Sequence, residues 1–387
     1  MSSRRFLFIC ACLGLLTFGI VLTVLGSVLP SIMTRFGIDK AEAGSLFLLM
    51  SFGILAASLV FGPLVDRYGY KGILLLAVVM TGVGLEWIAF ASSMASLRLA
   101  VLVIGFGGGV INGGTNALVA DISGDGRAAN LNLLGVFFGV GAMGVPFALG
   151  MLTGRYTQAA LVAAVGTLVL IPIVALAVAR FPAPKQPQGF PIAAAGKLVR
   201  DPLLLLMGLM LFLESGMEIT VGGWTSTFVS EELAVPARDA LIILSLYWMG
   251  MMLARLGVGY ILRRSSAFTV LYSSLAIALA GALLLLTTHS VATASVGVFT
   301  IGFGFAAVFP TVLGFVGDRY ATLSGTAFSV AIAMALCGGM LLPYVAGLLG
   351  NRFGMRGSFS IIPVALLLLA LLVSALSRKL RSASSTS

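Results

Sequence analysis

Apolar residues come in long unbroken runs along this chain, without the period-two alternation of a half-buried strand or the one-sided stripe of a surface helix. Twelve such runs begin near Phe6, Gly44, Gly72, Leu97, Ala128, Ala159, Leu203, Ala237, Phe268, Val291, Thr322 and Ser358. Each approaches the ~20 residues that a helix needs to cross a hydrocarbon core of roughly 30 Å. Strands of a membrane barrel would be about half as long and would alternate in polarity, and no run does. The pattern predicts an all-α integral membrane protein with twelve crossings. The first run, Phe6–Leu29, is too long for the apolar core of a cleaved leader and leads straight into further runs, so it reads as a retained first span.

Composition supports this. Of 387 residues, 59% are hydrophobic and only 9% charged, with mean hydropathy +1.12. A soluble chain carries roughly a quarter charged residues, so this one could not cover its surface against water. Cys10, Cys12 and Cys337 fall inside apolar spans with neither metal-like spacing nor a disulfide framework, and read as small packing residues. His289, at the end of the ninth span, reads as an interfacial side chain. There is no phosphate-cradling glycine loop with its lysine, no metal-ligand cluster and no Ser/His/Asp set, so neither an enzyme nor a cofactor is expected. Gly105-x-Gly107 lies within a span, where close helix packing accounts for it.

The net charge of +10 would suit a nucleic-acid partner, but its placement argues for topology. With the amino terminus inside, fifteen of the 23 Lys and Arg fall in inner segments, seven in outer ones, and Arg255 within the eighth span. That excess is the positive-inside asymmetry. It predicts a multi-pass protein of the cytoplasmic membrane with both termini cytoplasmic, drawn to anionic lipid rather than to a polymer. A monomer is expected.

The chain also repeats itself. A shift of 197 residues pairs Gly19 with Gly216, Thr23 with Thr220, Gly53 with Gly250, Gly62 with Gly259 and Gly105 with Gly302. It further pairs Asp121 with Asp318, Gly141 with Gly338, Pro146 with Pro343 and Arg155 with Arg352. One constant offset that matches mainly Gly, Pro and charged positions indicates a duplicated six-helix unit. Between the copies, Phe181–Asp201 holds Pro182, Pro184, Pro187 and Pro191, which break helices. The expected organisation is an amino-terminal bundle over 1–180, a cytoplasmic linker over 181–201 and a carboxy-terminal bundle over 202–387. Two parallel six-helix repeats with a midplane site at their interface is a recurrent transporter plan.

After the second span the chain reads Gly62-Pro-Leu-Val-Asp66-Arg67-Tyr-Gly69-Tyr-Lys71. This resembles the G-x3-D-R-x-G-x-K signature of the major facilitator superfamily. The second copy, Gly259 to Arg263 and Arg264, keeps the glycine and the positive charges but loses the acid. The resemblance implies two six-helix bundles related by a pseudo-two-fold axis, alternating access, and a gating role in which Asp66 and Arg67 latch the second helix. A plain tight turn on the positive side is the alternative.

Spans four and five read Gly105-Phe-Gly107-Gly-Gly-Val-Ile-Asn112-Gly-Gly-Thr-Asn116 and Leu131-Asn132-Leu133-Leu-Gly-Val-Phe137-Phe138-Gly-Val-Gly141-Ala142. Over about 40 residues this is similar to the fucose permease-like sugar–proton symporters, which implies a monosaccharide or polyol cargo and proton symport. Two departures stand out. That family commonly carries a membrane Glu where this chain has Asn112, and its best-known member an Asp where this chain has Gly26. Independently, Asn112 and Asn116 are four apart and share a helix face. Amides in hydrocarbon must find partners, and their donors and acceptors suit a hydroxyl-rich neutral ligand. Pinning helices together is the alternative, and for Asn132 it is the favoured reading.

The seventh span carries Glu214 and Glu218. Counted from Leu203 they sit roughly 16 and 22 Å into the membrane, on a shared face. Intramembrane acids are costly and mark functional sites, and two carboxylates this close in low dielectric should not both ionise. They are the candidate proton carriers in place of the missing acids; an ion pair with Arg255 is the alternative. Glu86 is expected to reach the interface. Trp224, Tyr247, Trp248, Phe137 and Phe138 offer flat faces for a sugar, although Trp and Tyr also populate interfacial belts.

Two rivals remain. A proton-coupled efflux antiporter for drugs or metabolites is favoured by Gly141-x2-Gly144-x-Pro146-x3-Gly150, a degraded antiporter motif. A non-transporting receptor or sensor would need a signalling domain, and the soluble stretches are short. Without an ATP site, the driving force must be an ion or solute gradient, or transport is purely downhill. The expected partners are a small solute, protons or sodium, and membrane lipid.

Overall fold

The computed structural model of the chain describes residues 3–123, 127–183, 200–262, 264–320 and 324–384. Lys185, Lys197, Arg263 and most of the linker lie outside the described residues, as does the side chain of Asn132. Among the described residues twelve helices are long and apolar enough to cross a membrane. In the first half these are helices 1 (Arg4–Phe36), 2 (Lys40–Tyr68), 3 (Tyr70–Phe90), 4 (Met94–Ile122), 5 (Arg127–Leu152) and 6 (Gln158–Val178). In the second they are helices 7 (Pro202–Glu232), 8 (Ala237–Leu262), 9 (Ala267–Thr287), 10 (Val291–Arg319), 11 (Ser324–Phe359) and 12 (Ile361–Ser384). The described residues form no strand, only an isolated bridge between Thr153 and Tyr156.

Helix starts follow local chemistry. The first N–H groups of a helix lack intrahelical acceptors. Side-chain oxygens of Ser3, Asp39, Ser93, Thr157, Asp201 and Ser266 accept from them at helices 1, 2, 4, 6, 7 and 9. Helix 6 breaks where Pro172 opens its second piece, and helix 10 breaks ahead of Pro310, since proline removes a donor and crowds the preceding turn. Helix 11 kinks at Gly354, whose φ of 72° favours glycine.

By contacts the chain divides into two compact units, Met1–Phe190 with Pro236–Ser245, and Pro191–Val235 with Leu246–Ser387. The first turns of helix 8 therefore group with the first unit, where Arg238, Leu241 and Ile242 lie against Gly150 of helix 5. Within the first unit helix 1 packs on helices 4 and 5, helix 2 on helix 4, and helix 3 on helices 4 and 6. Within the second, helix 7 packs on helix 11, on helix 12 and on the second piece of helix 10, while helix 9 packs on helices 10 and 12.

The residues that betray the repeat are the points where backbones touch. A Cβ at Gly53 would lie 2.6 Å from the Leu102 carbonyl oxygen and 2.8 Å from the Phe106 nitrogen. One at Gly250 would strike the equivalent atoms of Phe299 and Phe303. Reciprocally, Gly105 faces the Met50 carbonyl and Gly302 the Tyr247 carbonyl. In lipid no hydrophobic force draws helices together, so close van der Waals contact at small residues must do so. The shared glycines are crossings of helix 2 with helix 4 and of helix 8 with helix 10.

Asp201 deserves its place at the head of helix 7: its carboxylate accepts from the N–H groups of Leu203 at 2.8 Å and Leu204 at 3.1 Å. Partial burial pushes its pKa up, but the Tyr320 hydroxyl beside it, these two N–H groups and the Arg319 charge outweigh that and hold it below the usual carboxylate value. A group depressed in the folded state lends stability above its unfolded pKa of about 3.9 and loses it as pH falls through the folded value. Asp201→Ala is therefore expected to cost about 1 kcal/mol at neutral pH. In detergent melts its deficit against the wild type should shrink only in strongly acidic buffer. For the crossings, Gly105→Val and Gly302→Val should each lower the melting temperature, whereas Gly135→Ala, where a Cβ meets nothing within 4 Å among the described residues, should not lower it.

Candidate functional site

In the first unit the turn between helices 2 and 3 hinges on Gly69, whose φ of 75° suits a residue without Cβ and whose N–H closes helix 2 on the Val65 carbonyl at 2.8 Å. Asp66 is half-buried there, Arg67 and Lys71 are exposed, and a Cβ at Gly62 would meet nothing within 4 Å among the described residues. The next residue, Tyr70, is buried and donates its hydroxyl to Asp121 at the end of helix 4, at 2.7 Å. Asp66 lies near enough to act electrostatically on the same phenol. Sequence reasoning does not single out Tyr70. The available signal was Asp121, which the repeat preserves as Asp318 while its partner position, 197 residues after Tyr70, is Ala267.

Farther along helix 4, Asn116 donates its amide to the Asn112 carbonyl at 2.9 Å and to the Asn112 side-chain oxygen at 3.1 Å. Both are half-buried. The bond leaves the Asn112 side-chain N–H groups and the Asn116 side-chain oxygen for another partner, which is the donor–acceptor set a vicinal diol can meet. Phe137 on helix 5 is half-buried, while Phe138 is enclosed with its ring 5.8 Å from that of Phe18. Glu86 accepts from the Thr167 hydroxyl at 3.1 Å and rests against Gly166 of helix 6.

In the second unit Glu214 is fully buried, and neither of its oxygens meets a hydrogen-bond donor among the described residues. Glu218, one turn on, is half-buried and lies within hydrogen-bonding reach of it. Two carboxylates are acceptors only, so the pair can bond only when one of them carries a proton. Arg255 of helix 8 is close enough for its charge to act on both. A buried carboxylate without a donor is costly unless it is neutralised, so the site is built to hold a positive charge: a proton, a cation or the guanidinium.

Of the aromatic residues of helices 7 and 8, Tyr247 stands beside this pair. Tyr247, wholly buried, donates to the Glu218 backbone carbonyl at 3.3 Å. Trp248 meets it edge-on at 4.9 Å and covers Gly222. Trp224, also wholly buried, donates its indole N–H to the Pro343 carbonyl at 3.0 Å. All three rings are buried in the core of their unit. Helix 7 is held against helix 11 where a Cβ at Gly338 would strike the Phe212 carbonyl.

A sequence profile of the Major Facilitator Superfamily matches residues 7–335. The "Sodium-dependent glucose transporter 1A" of Mus musculus is 22% identical over 372 residues, covering 87% of this chain and 87% of that protein. In fold the chain is similar to a crystal structure of the nucleoside transporter NupG in a variant form, with TM-score 0.82 and 16% identity over 96% of this chain and 99% of that one. It is also similar to a D-xylose–proton symporter, with TM-score 0.79 and 15% identity over 96% of this chain and 97% of that one.

The Tyr70–Asp121 bond should be worth on the order of 1 kcal/mol. Tyr70→Phe and Asp121→Asn should each lower thermal stability, and the double variant should fall no further than the worse single, the mark of one shared interaction.

Proposed function

The chain belongs to the major facilitator superfamily, a family of membrane transporters rather than enzymes, and we propose that it is a secondary carrier of a small polar solute, a monosaccharide or polyol, driven by proton symport. The observation that carries this reading is Glu214, buried with no donor on either oxygen among the described residues, beside Glu218 and in the field of Arg255. A carrier needs a charge site whose occupancy changes as water reaches it, and an acid pair that bonds only through a shared proton meets that need. Arg255 acts as the counter-charge that eases proton release. Tyr247, with Trp248 packed on its edge, shields the acids from water until the cavity opens, and Trp224 braces helix 7 on helix 11; they are assigned to those roles rather than to sugar stacking.

On this reading the cargo is recognised in the first unit. Asn112 and Asn116 bind adjacent hydroxyls, and Phe137 offers a face for sugar C–H groups, with Phe138 buttressing it. The mouse relative's name carries glucose, which favours a hexose, and sodium, which makes that ion the specific rival to the proton. Gly62, Asp66, Arg67, Gly69 and Lys71 form the gate, with Tyr70 and Asp121 setting its position. Both termini are assigned to the cytoplasm, on the positive-inside asymmetry.

The test is uptake into proteoliposomes with labelled hexose under an imposed pH gradient, acid outside. Wild type should accumulate sugar uphill, while Glu214→Gln and Glu218→Gln, singly and together, should lose accumulation yet retain sugar counterflow. Accumulation that survives in all three variants would sink the proton assignment. Accumulation driven only by a sodium gradient would assign the other ion, and exchange of lipophilic cations without sugar uptake would assign the antiporter.

A further inference from the structure

Each half closes the carboxy-terminal end of its third helix with a guanidinium, but the arginine comes from a different place in each. In the first unit Arg35, in the last turn of helix 1, donates to the carbonyls of Ala89, at 2.9 Å, and of Ala91, at the end of helix 3. The repeat carries Ala89 onto Leu286 and Ala91 onto Thr288. Those two carbonyls, at the end of helix 9, accept from Arg356 at 2.6 and 3.0 Å. Yet Arg356 corresponds to Ala159, and the position of Arg35 is taken by Glu232.

Glu232 is not a break in the pattern. As the last residue of helix 7 it takes the Arg356 backbone N–H at 3.0 Å and the Arg356 Nε at 3.3 Å. Gly354, at φ 72°, turns the chain so that both meet it. The surroundings are exchanged too. The repeat carries Ser31, Ala159 and Val162 onto Phe228, Arg356 and Phe359. In the second unit the rings of Phe228 and Phe359 lie 4.6 Å apart, with the Arg356 guanidinium 5.9 Å over Phe228. In the first unit the three small residues line a cavity of about 300 Å³ beside Arg35.

The physical demand is the same in both halves. The last carbonyls of a helix have no intrahelical donor, and the helix dipole gathers partial negative charge there. A planar guanidinium can answer two carbonyls at once, which a point-charge ammonium does less well. We propose that Arg35 and Arg356 are one positioning device delivered from opposite sides of the same joint, and that the two versions are interchangeable. The device fastens the end of helix 1 to helix 3, and the end of helix 7 to helix 9 and to the last turn of helix 11, past its kink at Gly354. It keeps the acid-bearing helix 7 in place within its own half whatever ion or cargo the carrier takes.

The test is to rebuild the first-half version in the second half of the full-length protein and follow melting in detergent. Arg356→Ala should lower the melting temperature by several degrees, because it bares two carbonyls and leaves Glu232 facing them. Adding Glu232→Arg should recover most of that loss. Adding Glu232→Gln instead removes the charge imbalance without supplying a cap, and should recover much less. Should Arg356→Ala not fold at all, recovery of a folded protein by Glu232→Arg is the same result. The reciprocal pair, Arg35→Glu with Ala159→Arg, should likewise exceed Arg35→Glu alone. The proposal is overturned if neither exchanged pair improves on its single variant, or if Gln restores as much as Arg.

Discussion

Hydrocarbon offers no hydrogen bonds, and every part of this architecture answers to that. Backbone groups must be satisfied inside helices, so the chain crosses as helices throughout its described residues. Helices cannot rely on water to drive them together, so they meet where side chains vanish, as at Gly53 with Leu102 and Gly250 with Phe299. Their ends are where satisfaction fails first. Side-chain oxygens close the starts, and at the ends of helices 3 and 9 arginines supply the missing donors.

Helix 7 shows how these devices converge on function. Asp201 caps its start, Glu232 at its end is tied to Arg356, and at its middle the Phe212 carbonyl lies against Gly338. On a helix held at three points, the position of Glu214 and Glu218 is settled by the fold rather than by their own bonding. That is what allows Glu214 to remain without a donor among the described residues. A carboxyl that secured its own helix could not change protonation without moving it. Here the work of holding the helix falls to other residues.

Steric requirements proved legible in the sequence, and electrostatic assignments less so. The glycines matched by the repeat are legible because a backbone crossing tolerates nothing larger. The acids of helix 7 are legible because carboxylates in an apolar run are rare. The burial of Trp224 and Tyr247 is not legible in the sequence, since a ring packed between helices and a ring in an interfacial belt look alike in one dimension. The first turns of helix 8 group with the first unit through contacts with Gly150 that no repeat offset reveals. The arginine caps were hidden for a different reason. Aligned by the repeat, Arg35 against Glu232 and Ala159 against Arg356 look like two unrelated mismatches, and only their shared acceptors make them one device.

The central claim is that a proton moves with the cargo through Glu214 and Glu218. Its most direct measurement is a pH-electrode recording of weakly buffered, de-energised proteoliposomes as hexose is added. The account predicts a transient alkalinisation of the medium that matches sugar entry and is absent in the Glu214→Gln, Glu218→Gln double variant. Sugar entry with no alkalinisation in the wild-type protein, or an undiminished signal in the double variant, would contradict it.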